Sequence, residues 1–213
     1  MNARHILFDL DGTLIDSAPS ILSGFARVLD QHGISPRCEL TQALIGPPLL
    51  ETLRLISGID DPEILQRLAH DFKSYYDEIG YKETREYPGT TLSLRGFAAE
   101  GAQLYVVTNK RIVPTRRIIS FLGWSDLFKG LYSPDKFVPK LASKSETIDF
   151  VKKKHMLNPT QSIYVGDTPQ DLEAARENGI EFLAANWGYG SWEKVEGKNF
   201  AMLYSLKDIS IFH

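Results

Sequence analysis

Three short apolar runs, far apart in the chain, each stop at a residue able to bind or react. They are Ile6-Leu7-Phe8 before Asp9, Leu104-Tyr105-Val106-Val107 before Thr108, and Ile163-Tyr164-Val165 before Gly166-Asp167. Runs that are apolar at every position, rather than at alternate ones, suit strands covered on both faces, as in a parallel sheet. Phe182-Leu183-Ala184-Ala185 and a weaker run at Leu131-Tyr132 extend the set, and helix-like stretches separate consecutive members. The expected fold class is α/β, an open parallel sheet flanked by helices. Ligands in such sheets sit beyond the carboxyl ends of the strands, so Asp9, Thr108 and Asp167 are expected to converge.

Between the first run and Tyr87-Pro88-Gly89 no convincing strand occurs, but Ile21, Phe25, Val28 and Leu29 recur at helical spacing. Turn signals at Gly33-Ile34-Ser35-Pro36, Gly46-Pro47-Pro48 and Gly58-Ile59-Asp60-Asp61-Pro62 divide this stretch into about four helices of a small bundle. The expected domains are a core of residues 1–15 and 87–213 and a helical insertion of residues 16–86. Phe72 and the Tyr75-Tyr76 pair belong to the core of that bundle, and the basic Lys152-Lys153-Lys154-His155 run complements the dipole at a helix end. Trp187-Gly188-Tyr189-Gly190 reads as a flexible loop with exposed aromatics, which either packs on the helical insertion or is only a surface turn.

Composition removes several function classes. Lys and Arg number 24 against 27 Asp and Glu, a net charge of −3, so no broad basic field exists for nucleic acid or an anionic membrane. Cys38 is the only cysteine, which forbids an intrachain disulfide and, with five scattered histidines, a thiolate-rich zinc cluster. No apolar run approaches the roughly 20 residues that span a bilayer, and Asp9 and Asp11 interrupt the start where a signal peptide needs an unbroken stretch. A cytoplasmic protein is expected.

The densest chemical signal is Phe8-Asp9-Leu10-Asp11-Gly12-Thr13-Leu14. Alternation puts the Asp9 and Asp11 side chains on one side of an extended segment, and Gly12 permits a sharp turn. That turn aims a backbone amide and the Thr13 hydroxyl at one bound group. Acids beside such a turn suit a metal ion together with a phosphate.

These residues resemble the haloacid dehalogenase-like superfamily of phosphohydrolases, whose first motif is Asp-x-Asp-Gly-Thr after the first strand. Thr108 in Val106-Val107-Thr108-Asn109-Lys110 resembles the second motif, and Gly166-Asp167-Thr168-Pro169-Gln170-Asp171 the last. The helical insertion is similar to the mobile cap of the branch that includes phosphoglycolate phosphatases and β-phosphoglucomutases. Gly46-Pro47-Pro48-Leu49 and Tyr87-Pro88-Gly89 are similar to the phosphatase side of it.

The resemblance implies a Rossmann-like core with a helical-bundle cap, a Mg²⁺ cofactor, and catalytic roles for Asp9, Asp11 and Lys144. Asp9 is then the nucleophile that forms an aspartyl-phosphate, and Asp11 the acid and base, with its backbone carbonyl a metal ligand. Asp9, Asp11 and Asp167 make up the implied metal site. Asp171, one helical turn beyond Asp167, faces the ion directly, through water, or only orients its neighbours. Gly12, Thr13, Thr108, Asn109 and Lys144 are the implied substrate contacts. Lys144 opens a helix in Ser143-Lys144-Ser145-Glu146, against the sign the dipole favours; Lys140 is the runner-up, and Lys136 lies in the same interval.

The implied reaction is Mg²⁺-dependent hydrolysis of a small phosphorylated metabolite by a monomer or homodimer, with cap closure excluding water. Phosphoglycolate is the first substrate suggested, with nucleotide and sugar phosphates open. A phosphomutase built from the same residues and a non-catalytic phospho-ligand-binding protein are the alternatives.

Overall fold

The computed structural model describes residues 4–193, 195 and 200–209, and these fall into two compact units, Met1–Asp16 with Arg85–His213, and Ser17–Thr84. Among the described residues no helix is long and apolar enough to cross a membrane.

The elements run in chain order from β1 (His5–Phe8) and β2 (Ile15–Asp16) to α1 (Ala18–Gln31), α2 (Leu49–Ser57) and α3 (Pro62–Glu78). Next come β3 (Arg85–Glu86), α4 (Thr90–Ala99), β4 (Gln103–Val107), α5 (Ile112–Phe121), β5 (Phe128–Tyr132) and α6 (Lys144–His155). The chain then forms β6 (Ser162–Gly166), α7 (Pro169–Glu177), β7 (Glu181–Ala185) and β8 (Ala201–Leu203).

In the first unit six parallel strands form one sheet in the order β5-β4-β1-β6-β7-β8. All the apolar runs singled out in the sequence are in it. Ile6, Leu7 and Phe8 are fully buried, as are Leu104 to Val107, because helices cover both faces of the central strands. The chain leaves β1 for its neighbours in both directions, β4 on one side and β6 on the other, so β1 lies at the switch point of the sheet. Register fixes what emerges there: Phe8 pairs with Val106 and with Val165, so Asp9, Thr108 and Asp167 follow the ends of three adjacent strands. One core of this unit gathers Leu7, Tyr105, Val107, Ile148, Tyr164 and Phe182. Tyr164 crosses its interior, and its hydroxyl donates to the Val107 carbonyl at 2.7 Å.

The second unit is a helical bundle, with three α-helices among the described residues instead of the four expected. Pro36, Pro47 and Pro48 break the stretch between α1 and α2, where only a single 3₁₀ turn forms, Gln42–Leu44. Asp61 starts α3 by accepting the Glu63 and Ile64 amides at 2.9 and 3.2 Å ahead of Pro62. The bundle core stacks Phe25 on Phe72 with ring centroids 4.7 Å apart, beside Val28, Leu53, Leu68 and Tyr76. Tyr75 is less enclosed, with the Arg27 guanidinium 4.8 Å over its ring.

The chain leaves and re-enters the first unit through a two-stranded ribbon, in which Ile15 pairs with Glu86 and Asp16 with Arg85.

Candidate active site

Beyond Asp9 the backbone coils at once: the Leu14 and Ile15 amides both donate to the Leu10 carbonyl, at 3.0 and 3.1 Å. Gly12 makes this possible twice over. Its φ is +80°, and a β-carbon there would stand 2.2 Å from Asp167 Oδ2. The two acidic motifs are therefore in contact through a residue without a side chain.

Asp9, Asp167 and Asp171 are all buried, and one carboxylate oxygen from each falls within 4.8 Å of the others. Lys144 reaches into this group from the first turn of α6, with Nζ 2.5 Å from Asp171 Oδ1 and 3.0 Å from Asp9 Oδ1. Its helix starts normally, because Ser143 accepts the Glu146 amide at 3.1 Å, and the two carboxylates offset the unfavourable position of a cation there. Lys140 is exposed on the loop before α6. Lys136 turns away, donating to the Leu131 carbonyl at 2.6 Å and lying over the Tyr132 ring.

The sequence left the role of Asp171 open, and its carboxylate has four donors. Oδ1 accepts Lys144 and, at 3.3 Å, the Tyr164 hydroxyl. Oδ2 accepts the Thr168 amide at 3.0 Å and its hydroxyl at 2.7 Å, within the capping box that opens α7. Asp171 thus anchors Lys144 and the helix at once, with little acceptor capacity left for an ion.

Asp167 is differently placed. Thr13 Oγ1 donates to its Oδ1 at 3.2 Å and the Tyr189 amide to its Oδ2 at 2.8 Å. The Thr13 hydroxyl, expected to face a bound phosphoryl group, is engaged with Asp167, because the Gly12 turn sets the two side by side.

The loop 187–190 corrects the sequence reading most plainly. Far from being a loose surface turn, it wraps Asp167: a β-carbon on Gly188 would fall 2.2 Å from Asp167 Cβ and 2.4 Å from the Gly12 carbonyl oxygen. Trp187 Nε1 donates to the Thr13 carbonyl at 3.1 Å, and the Tyr189 hydroxyl donates to Asp16 Oδ1 at 2.8 Å. Two glycines flanking an aromatic residue just after a strand were the available signal, since such spacing marks close backbone approach.

Thr108 is buried at the end of β4, where its Oγ1 accepts the Lys110 amide at 3.2 Å. Asn109 beside it is exposed. The Asp11 carboxylate does not join the other three acids; its Oδ1 meets Lys110 Nζ at 2.9 Å. Sequence reasoning quoted Lys110 only as part of a motif and missed this pairing.

Electrostatics follow from the crowding. Burial pushes the Asp9 carboxyl up to about 7, and Asp171, Asp167 and Asp11 add to the rise against the opposing pull of Lys144. Burial and Asp171 raise Asp167 to about 6, moderated by the Tyr189 amide. Burial alone would depress the Lys144 ammonium, but Asp171 and Asp9 outweigh it and hold the group above the ordinary lysine value.

Four carboxyl groups, Asp9, Asp11, Asp167 and Asp171, face two ammonium groups, Lys110 and Lys144, so that with all four ionised the site carries an excess of two negative charges. Asp9 Oδ1 is also buried without a hydrogen bond, its 3.0 Å contact with Lys144 being an ion pair that is not directed as one. Oxygen ligands and local negative charge together fit a hard divalent cation such as Mg²⁺.

Comparison with known proteins agrees with this chemistry. Residues 6–185 match the family of haloacid dehalogenase-like hydrolases. A phosphoglycolate phosphatase of Xylella fastidiosa is 30% identical over 195 residues, covering 89% of this chain and 83% of its own. A 5′-nucleotidase of Pseudomonas aeruginosa is 29% identical over 192 residues, covering 90% of this chain and 86% of its own. Among solved structures, a haloacid dehalogenase-like hydrolase of Streptococcus pneumoniae superposes with a TM-score of 0.83 at 27% identity, over 98% of this chain and 97% of that one.

Proposed function

Because the chain belongs to the haloacid dehalogenase-like hydrolase family, we propose that it is a Mg²⁺-dependent phosphatase for small phosphomonoesters, working through an aspartyl-phosphate on Asp9. The observation that carries this reading is the buried cluster at the ends of the adjacent strands β1 and β6, with Lys144 3.0 Å from Asp9 Oδ1 and Asp167 beside them. Asp9, Asp167 and the Asp11 backbone carbonyl would hold the ion, which supplies positive charge where a carboxylate and a phosphate dianion would otherwise repel.

The residues divide the work. Asp9 is the nucleophile: an oxygen of its carboxylate bonds to phosphorus as the bond from phosphorus to the ester oxygen breaks. Asp11 gives its proton to the departing oxygen. A water then attacks phosphorus, Asp11 takes a proton from it, and the bond to Asp9 breaks to release inorganic phosphate. Lys144 offsets the charge on Asp9 and the phosphoryl oxygens, and Asp171 keeps Lys144 in place. The Thr108 hydroxyl and the Asn109 amide, at the end of β4, are the proposed phosphoryl donors. The relatives named for phosphoglycolate make that compound the first substrate to try, with nucleotides next. The exposed lone Cys38 suits a reducing cytoplasm.

The purified chain is expected to hydrolyse an aryl phosphate with Mg²⁺ and to stop in excess chelator. Asp9→Asn should remove turnover while leaving the fold intact by circular dichroism. Turnover by Asp9→Asn near the wild-type rate would overturn the reading.

A further inference from the structure

The second ammonium group of the site is unused by this mechanism. Lys110 extends from the end of β4 to the turn after β1 and ends 2.9 Å from Asp11 Oδ1, across a sequence separation of 99 residues. The Lys110 side chain is 7% exposed and that of Asp11 19%, so the pair is largely withdrawn from water. A long flexible cation is costly to enclose, in desolvation and in lost rotamers, unless its partner needs it there.

Its starting point is fixed as well. The Lys110 amide donates to Thr108 Oγ1 at 3.2 Å, and the Thr108 amide to the Tyr132 carbonyl at 3.0 Å. A hydroxyl-stapled turn on one strand therefore aims an ammonium group at the carboxylate on the next.

We infer that Lys110 is a positioning residue for Asp11: it ties one carboxylate oxygen so that the proton for the leaving group is delivered from a fixed place. This rests on the proposed phosphatase reaction. When the bond from phosphorus to the ester oxygen breaks, that oxygen takes the proton of Asp11, and Lys110 keeps its own. A misplacement of Asp11 then matters in proportion to how much the leaving group needs that proton.

Leaving-group dependence tests the inference. An alkyl ester such as glycerol 2-phosphate must be protonated as it departs, whereas 4-nitrophenyl phosphate loses a stabilised phenolate. The ratio of kcat/KM for alkyl over aryl substrate, with Mg²⁺ saturating, should fall about tenfold or more in Lys110→Met. Lys110→Arg, which keeps the charge, should recover part of the loss. In an Asp11→Asn background, Lys110→Met should lower the alkyl rate no further. Should Lys110→Met not fold, Lys110→Gln carries the same comparison. An equal fall on both substrates, or a higher KM for both at unchanged kcat, would overturn the inference. A wild-type chain inert toward both would overturn the phosphatase reading, and this inference with it.

Discussion

Asp171 binds Lys144 through one carboxylate oxygen, at 2.5 Å, and caps α7 through the other, by way of Thr168. One residue thus ties the position of a helix to the position of the ammonium group that faces Asp9.

The two roles of Asp171 separate by substitution. Thr168→Ala removes the cap side chain and one hydroxyl donor to Asp171 but leaves its contacts with Lys144 and the Thr168 amide, and should cost about 1 kcal/mol in urea unfolding with most phosphatase activity kept. Asp171→Asn leaves Lys144 buried with a single anion, so a loss of about 3 kcal/mol and a severe fall in kcat are expected. Equal effects of the two substitutions on activity would show that Asp171 serves the helix alone.

Protonation of the acidic cluster sets how stability varies with pH when metal is absent. Asp9 titrates near 7 and Asp167 near 6 in the fold, against 3.8 for an ordinary aspartate. Between those values the folded chain holds protons that the unfolded chain has lost, so this contribution favours folding at about pH 4 and fades as pH rises to about 7. The melting temperature in chelator should fall across that window, less steeply in Asp9→Asn. Added Mg²⁺ should raise it more at about pH 8 than at about pH 5, because the ion competes with those same protons. A Mg²⁺ effect independent of pH would contradict this origin.

Gly188→Ala forces a methyl group to within 2.2 Å of Asp167 Cβ and 2.4 Å of the Gly12 carbonyl oxygen. Neither neighbour is the free end of a flexible chain. Destabilisation of about 1–3 kcal/mol is expected, together with weaker Mg²⁺ binding measured by calorimetry, since Asp167 must shift. Unchanged metal affinity would mean that the loop 187–190 does not set the Asp167 position.

The strands were legible because full burial writes itself as uninterrupted apolar runs, and the acids at their ends were legible because a polar stop to such a run has few structural uses. Lys144 stood out for a related reason, a cation at a helix start where the dipole opposes it. What stayed hidden were pairings made across the fold by residues of ordinary type. Lys110 has no periodicity or cap signature, and only the register of β4 against β1 brings it to Asp11. The sequence left Asp171 between facing an ion and orienting its neighbours, since the acid that completes a capping box is of the same type as one that holds a metal. The insertion was miscounted by one helix because turn signals show where helices stop but not whether the stretch between two of them is long enough to form one.

The ribbon of Ile15-Asp16 with Arg85-Glu86 clamps the exit and return points of the chain side by side. Because the cost of closing a loop grows only with the logarithm of its length, changing the length of what joins those points alters the folding of the sheet little. A tight hairpin turn in place of Ser17–Thr84 is therefore expected to preserve the register of the clamp. The carboxylates proposed to react or to hold the ion, Asp9, Asp11 and Asp167, all belong to the other unit, Met1–Asp16 with Arg85–His213.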